Sequence, residues 1–188
     1  LGWRRILNAL SNDLKSGRAV SLWCLAQTGR YLPTGLLAVV SRVQLAAKEG
    51  ISKAVTLASI AIETAILLSW SLLVCALFVP SNIVPTATRW IAVIISLLGL
   101  FVTPCFAQGI CKRLSKFKRL SISNIRTRYL GAAVLLLGSS VAARALGSLC
   151  LAATILDLDA ASVPLVLGAI YAAVVAGMVG ITPAGLGV

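Results

Sequence analysis

Glu63 is the one acidic residue inside a long apolar run of this chain, KAVTLASIAIETAILLSW at 53–70. Ser52, Thr56, Ser59 and Glu63 follow at spacings of four, three and four, which places them on one face of a helix. Glu63 falls about ten residues, or ~15 Å, into that helix, close to the middle of a bilayer. Arg144 lies similarly deep in another apolar run, on a face with Ser140 and Ser148, while Arg30 and Arg42 sit in a third, interrupted run. An ionised group at such depth costs ~2.5–3.5 kcal/mol even on insertion scales, so each must meet a partner or water. Two chemistries satisfy that demand. Glu63 can pair with Arg30 or Arg144 and hold a helix bundle together, or the charges can line a polar path for a charged lipid headgroup. Arginine suits phosphate because its planar fork donates two hydrogen bonds at once.

The interrupted run contains RYLPTGL at 30–36, and ITPAGL at 181–186 repeats its Pro-x-Gly-Leu pattern. Proline and glycine free backbone N–H and C=O groups, which membrane depth tolerates only where protein or water satisfies them. Paired breaks near the two ends of a fold point to a substrate site, with helix N-termini offering positive dipole ends to anions. The competing reading is a plain turn between packed helices. The substrate-site reading assigns Arg30, Pro33, Gly35, Arg42, Glu63, Arg144, Pro183 and Gly185.

The elements that must carry these residues are helical and membrane-embedded. The 188 residues are 59% hydrophobic and only 12% charged, and their mean hydropathy of +0.99 is far from that of a soluble domain. With 17 basic against 5 acidic residues the net charge is +12. The basic residues cluster between apolar runs, so they are read as topology signals that touch anionic lipid, and no nucleic-acid partner is expected. With no histidine in the chain, His-based catalysis and His-ligated metal are excluded. One deep acid makes general acid–base machinery thin, so no catalytic residue, metal or cofactor is expected. The five cysteines are odd in number and lack CxxC spacing, and are read as small buried hydrophobes.

Four segments are long enough to cross a bilayer: 53–79, 87–110, 129–156 and 162–181. Gly50 and a cap at Ser52 precede the first, and Pro80 ends it. A kink is expected at Pro104. The loop at 112–128 holds seven basic residues and no acid, so the positive-inside rule makes it cytoplasmic in a multi-pass cell-membrane protein. The arms of 18–49 are each too short to span, and a re-entrant hairpin there keeps Arg4, Arg5, Lys15 and Arg18 cytoplasmic. Residues 1–17 then read as an interfacial amphipathic helix. Residues 18–188 form the remaining transmembrane domain. Gly168, Ala172, Ala176 and Gly180 make a ridge of small residues suited to close helix packing, within the chain, against a second copy or against a membrane partner. Trp3, Trp23, Trp70, Trp90 and Tyr129 are placed as interface anchors without further function.

The run from Gln27 to Thr64 resembles the membrane region of the lysylphosphatidylglycerol synthetase and flippase family, also called the multiple peptide resistance factor family. Arg30, Tyr31, Leu32 and Pro33 match its Gly-Arg-Tyr-Leu-Pro-Gly-like motif, followed by Ser41-Arg42 and by Glu63 in the next helix. The closing run Thr182 to Val188 is similar to the family's Pro-Gly-Gly-Leu-Gly-Val signature, and at both places the glycine is displaced by one position. The resemblance implies movement of a charged or decorated phospholipid or glycolipid between leaflets, with any lysyl-transferring module separate. It also implies further helices beyond this stretch, so the domain is expected to be incomplete.

The expectation is therefore an all-α polytopic membrane protein with about four transmembrane helices and one or two re-entrant or broken segments. The two breaks are compatible with an inverted pseudo-repeat. The competing expectation is a non-transporting membrane scaffold that anchors a lipid-modifying or glycosyltransferase partner.

Overall fold

The computed structural model describes residues 1–10, 14–28, 36–118, 127–156, 159 and 162–179. Every element among them is helical: α1 Gly2–Ala9, α2 Ser16–Gln27, α3 Leu36–Lys48, α4 Lys53–Phe78, α5 Thr86–Lys118, α6 Thr127–Ala153 and α7 Ser162–Val179. Three are long and apolar enough to cross a membrane, namely α4, the stretch Thr86–Thr103 of α5, and Arg128–Ala153 of α6. The apolar stretch of α7, Ser162–Met178, is shorter. The protein is thus membrane-embedded and, among the described residues, all-helical, with three helices of spanning length and composition.

The chain divides into two units, and α4, α5 and α6 each contribute to both. The first comprises Leu1–Ala65 and Val102–Leu136. Its central feature is the join between α3 and α4. Gly50 takes φ +78°, the left-handed region that a residue with a Cβ avoids. The Gly50 N–H donates to the Ala47 carbonyl and the Ile51 N–H to the Ala46 carbonyl, both at 3.1 Å, the pattern of a Schellman helix end. Ile51 and Ala46 are both buried, which adds the apolar contact that accompanies this motif. Two residues later the Ser52 hydroxyl accepts the Val55 N–H at 3.2 Å and caps α4. One helix stops and the next starts within four residues because glycine and serine supply the two geometries required.

Helices α2 and α3 pack against each other. The guanidinium of Arg18, at the start of α2, bonds the Glu49 carboxylate just past the end of α3 at 2.8 Å, so the two run antiparallel as a hairpin. Arg18 is largely exposed, and the pair marks the register more than it stabilises. The link at 29–35 lies outside the described residues.

Three expectations need correction here. The segment at 1–17 is not one amphipathic helix: α1 ends at Ala9, and Trp3, Ile6, Leu7 and Ala9 are buried. Its apolar face meets protein rather than lipid. The second span does not give way to a loop near 110, because α5 runs through Pro104 to Lys118 and carries Lys112, Arg113, Lys116 and Lys118 on helix. Lysine and arginine are good helix formers, and positive charge near a helix C-terminus is favoured by its dipole. Of the cysteines whose side chains are described, Cys24, Cys105 and Cys150 are free and exposed on the chain and Cys75 is half-buried.

The second unit, Ile66–Phe101 with Leu137–Val188, is held by close packing of small residues. A Cβ at Gly138 of α6 would lie 2.7 Å from the Trp70 ring of α4, and one at Gly168 of α7 would lie 3.0 Å from the backbone of Val79. Part of the ridge starting at Gly168 is therefore used within the chain. Val141, Leu167 and Tyr171 form the core, joined by Leu67, Trp70 and Val74. The buried Tyr171 hydroxyl donates to the Val141 carbonyl at 2.7 Å. Arg89 donates to the carbonyls of Ala76 and Leu77, each at 3.2 Å, and closes the C-terminal end of α4. Asp159 accepts the Ser162 N–H at the start of α7 at 3.0 Å, and hydrogen bonding from the Ser162 side chain and from that N–H holds its carboxyl below the usual range.

Gly138→Val should drive a branched side chain into the Trp70 ring and destabilise the protein by about 1–3 kcal/mol. Thermal unfolding of the detergent-solubilised protein, read by near-ultraviolet circular dichroism, checks this, with Gly131→Val, at a site open around its Cβ, as the near-neutral control.

Candidate functional site

Arg42 on α3 and Glu63 on α4 stand ten and eleven residues either side of Ser52. At ~1.5 Å per residue both lie roughly 15 Å from the turn, so a helical join there brings them to the same level. The Arg42 Nη1 donates to Glu63 Oε2 in a buried ion pair, with 9% and 8% of the two side chains exposed. Two ions this far from water need every remaining lone pair and proton engaged, or their burial outweighs their attraction.

Two tryptophans supply part of that compensation. Trp23 of α2 donates its indole N–H to the other carboxylate oxygen, Glu63 Oε1, at 3.2 Å. Trp3 of α1 donates its own to the Ser59 hydroxyl at 2.9 Å, and the Ser59 hydroxyl in turn donates to the Thr56 carbonyl at 2.7 Å. The Arg42 guanidinium carbon lies 5.3 Å from the Trp3 ring centroid and 5.9 Å from that of Trp23, within cation–π range of both. The cation therefore has a carboxylate and two aromatic rings, and the anion has a guanidinium and an indole. Among the described residues no buried side-chain polar atom is left without a partner. Thr56, Ser59 and Glu63 are all buried, so the polar face of α4 looks into protein along this length.

The sequence-derived site maps unevenly onto this cluster. Arg42 and Glu63 are brought together, whereas the partners expected for Glu63 were Arg30 and Arg144. Arg30, Pro33, Gly35, Pro183 and Gly185 lie outside the described residues. Arg144 is on α6 in the second unit and exposed on the chain, and it makes no ion pair with a described residue. Trp3 and Trp23, assigned above as interface anchors, instead form part of the site. Indole placement alone does not distinguish a membrane anchor from a carboxylate donor. The sequence signal for Arg42 is its distance from Gly50–Ser52, equal to that of Glu63, and it becomes a pairing only once α3 and α4 fold back across that join.

The arrangement offers no nucleophile with an adjacent base. Its chemistry is that of a neutral, buried ion pair. Comparison with protein-family models, with curated proteins and with solved structures finds no match for this chain.

Replacing one partner strands the other as a buried ion. Arg42→Leu and Glu63→Leu should each cost about 3–5 kcal/mol, and the double variant should cost clearly less than their sum. Unfolding of the four proteins in detergent as a double-mutant cycle checks the coupling.

Proposed function

We propose that this chain is the membrane part of a lipid translocase that passes a charged or decorated phospholipid or glycolipid headgroup between leaflets, in the manner of the family it resembles. The observation that carries the reading is the buried Arg42–Glu63 pair, which ties the arm following the RYLPTGL break to the first span. A lipid phosphate can take the place of Glu63 on the Arg42 fork, and a cationic headgroup the place of Arg42 on Glu63. A zwitterionic headgroup replaces both at once, so the charge balance of the site is kept throughout. The acyl chains stay in the bilayer, and the indoles of Trp3 and Trp23 keep water from the exchanged ions. In this reading the protein sits in the cell membrane with its basic segment at 112–128 cytoplasmic, and the run 162–181 serves as a fourth span. Arg30 is proposed to lead the phosphate to the pair.

The second reading, a non-transporting scaffold for a lipid-modifying or glycosyltransferase partner, is favoured by one observation. Both carboxylate oxygens of Glu63 already hold donors, as a structural clamp requires. The exposed Ala172 and Ala176 of the small-residue ridge would be its partner surface.

The charge-exchanged protein Arg42→Glu/Glu63→Arg separates the two. A leaflet-resolved assay in proteoliposomes should show translocation at least tenfold slower than wild type, with the protein still folded, because the exchanged charges are presented from the opposite helices. Wild-type translocation by a folded exchanged protein removes the pair from the transport path, and absence of translocation by the wild type itself supports the scaffold.

A further inference from the structure

Arg144 is a mid-span cation for which the described fold supplies no carboxylate. It lies sixteen residues, about 24 Å, from Arg128 at one end of its candidate span and nine residues, about 14 Å, from Ala153 at the other. It is exposed on the chain, so in a membrane it projects from the helix surface near mid-depth. The described carboxylates are committed elsewhere: Glu49 to Arg18, Glu63 to Arg42, and Asp159 to the start of α7. Asp13 and Asp157 fall outside the apolar spans. The Tyr171 hydroxyl is spent on the Val141 carbonyl. Arginine stays charged in any protein environment, so it cannot resolve the conflict by losing its proton.

The residues around it differ from a lipid-facing surface. On α5 the exposed face is large and apolar, with Trp90, Ile91, Ile94, Leu98 and Phe101. On α6, Ser140, Ala143, Arg144 and Gly147 are exposed together at i, i+3, i+4 and i+7, a small and polar patch flanked along the same face by exposed Leu136 and Leu151. Nothing lies within 4 Å of where a Cβ on Gly147 would be, so a backbone can approach there. Small residues beside a polar group are how membrane helices bring their axes close and bond across the contact.

The geometry points to a docking face for a further transmembrane helix, supplied from outside these 188 residues, that carries a carboxylate at mid-membrane opposite Arg144. Charge complementarity selects that occupant. A second copy of the chain cannot serve, because its one mid-span acid, Glu63, is already closed into its own ion pair. A resting lipid headgroup keeps its phosphate at the interface, about 15 Å from the bilayer centre. The inference is independent of lipid translocation: it holds for a transporter and for a scaffold alike.

The test uses the chain in phosphatidylcholine vesicles, with a donor dye on its amino terminus. The probe is a synthetic leucine–alanine helix of about 20 residues carrying one central glutamate and an acceptor dye, and its control carries glutamine. Energy transfer should report at least tenfold tighter association with the glutamate helix, and Arg144→Gln should erase that preference while Arg144→Lys retains it. Should Arg144→Gln fail to fold, Gly147→Leu, which fills the seat without touching the charge, should weaken association instead. Equal binding of the two helices, or a preference that survives in folded Arg144→Gln or in Gly147→Leu, overturns the assignment. So does its disappearance when phosphatidylglycerol replaces part of the phosphatidylcholine, which makes a headgroup the occupant. Self-association of the labelled chain that is lost in Arg144→Gln makes a second copy the occupant and likewise overturns it.

Discussion

A carboxylate and a guanidinium buried together away from water constrain everything in the first unit. Neither Arg42 nor Glu63 can be accommodated alone, and the pair is tolerable only because indole N–H groups and ring faces replace the hydration that both ions lose. That requirement explains why α1, short and amphipathic, turns its apolar face inward and brings Trp3 to Ser59. It also explains why α2 lies against α3, where Trp23 reaches the second carboxylate oxygen. The Gly50–Ser52 join supplies the register by holding the two charges at equal distances from the turn.

The second unit solves a different problem. It has no ion pair among its described residues and gains its cohesion from close helix approach at Gly138 and Gly168, with Trp70 and Tyr171 filling the space between. In a bilayer the lipid is as apolar as the protein interior, so packing and hydrogen bonds replace the hydrophobic effect as the cohesive force. Helix α4 shows both strategies along one length: a polar face before Ala65 and an aromatic and aliphatic one after Ile66.

The closed state of the pair frames the functional question. A pair in which each ion already faces its opposite charge is neutral, and on the transport reading proposed above a headgroup would enter it only by displacing one ion with another of the same sign. That is a stricter filter than an open cationic groove, which would accept any anion. The same closure is what a purely structural clamp needs, which is why exchanging the two charges discriminates where deletion of either does not.

The all-helical class, the membrane setting, the α4 cap at Ser52 and the polar face through Thr56, Ser59 and Glu63 were legible from periodicity, hydropathy and the helix-end chemistry of glycine and serine. These are local properties, carried by a few consecutive residues, and they needed no knowledge of the rest of the chain. The partner of Glu63, the inward turn of α1, the recruitment of Trp3 and Trp23, the run of α5 through Pro104 into the basic segment, and the isolation of Arg144 were decided by tertiary structure. A carboxylate carries no label for its cation, and Arg30, Arg42 and Arg144 are chemically identical side chains. Only the path of the backbone sets which of them arrives within reach, and which is left facing outward.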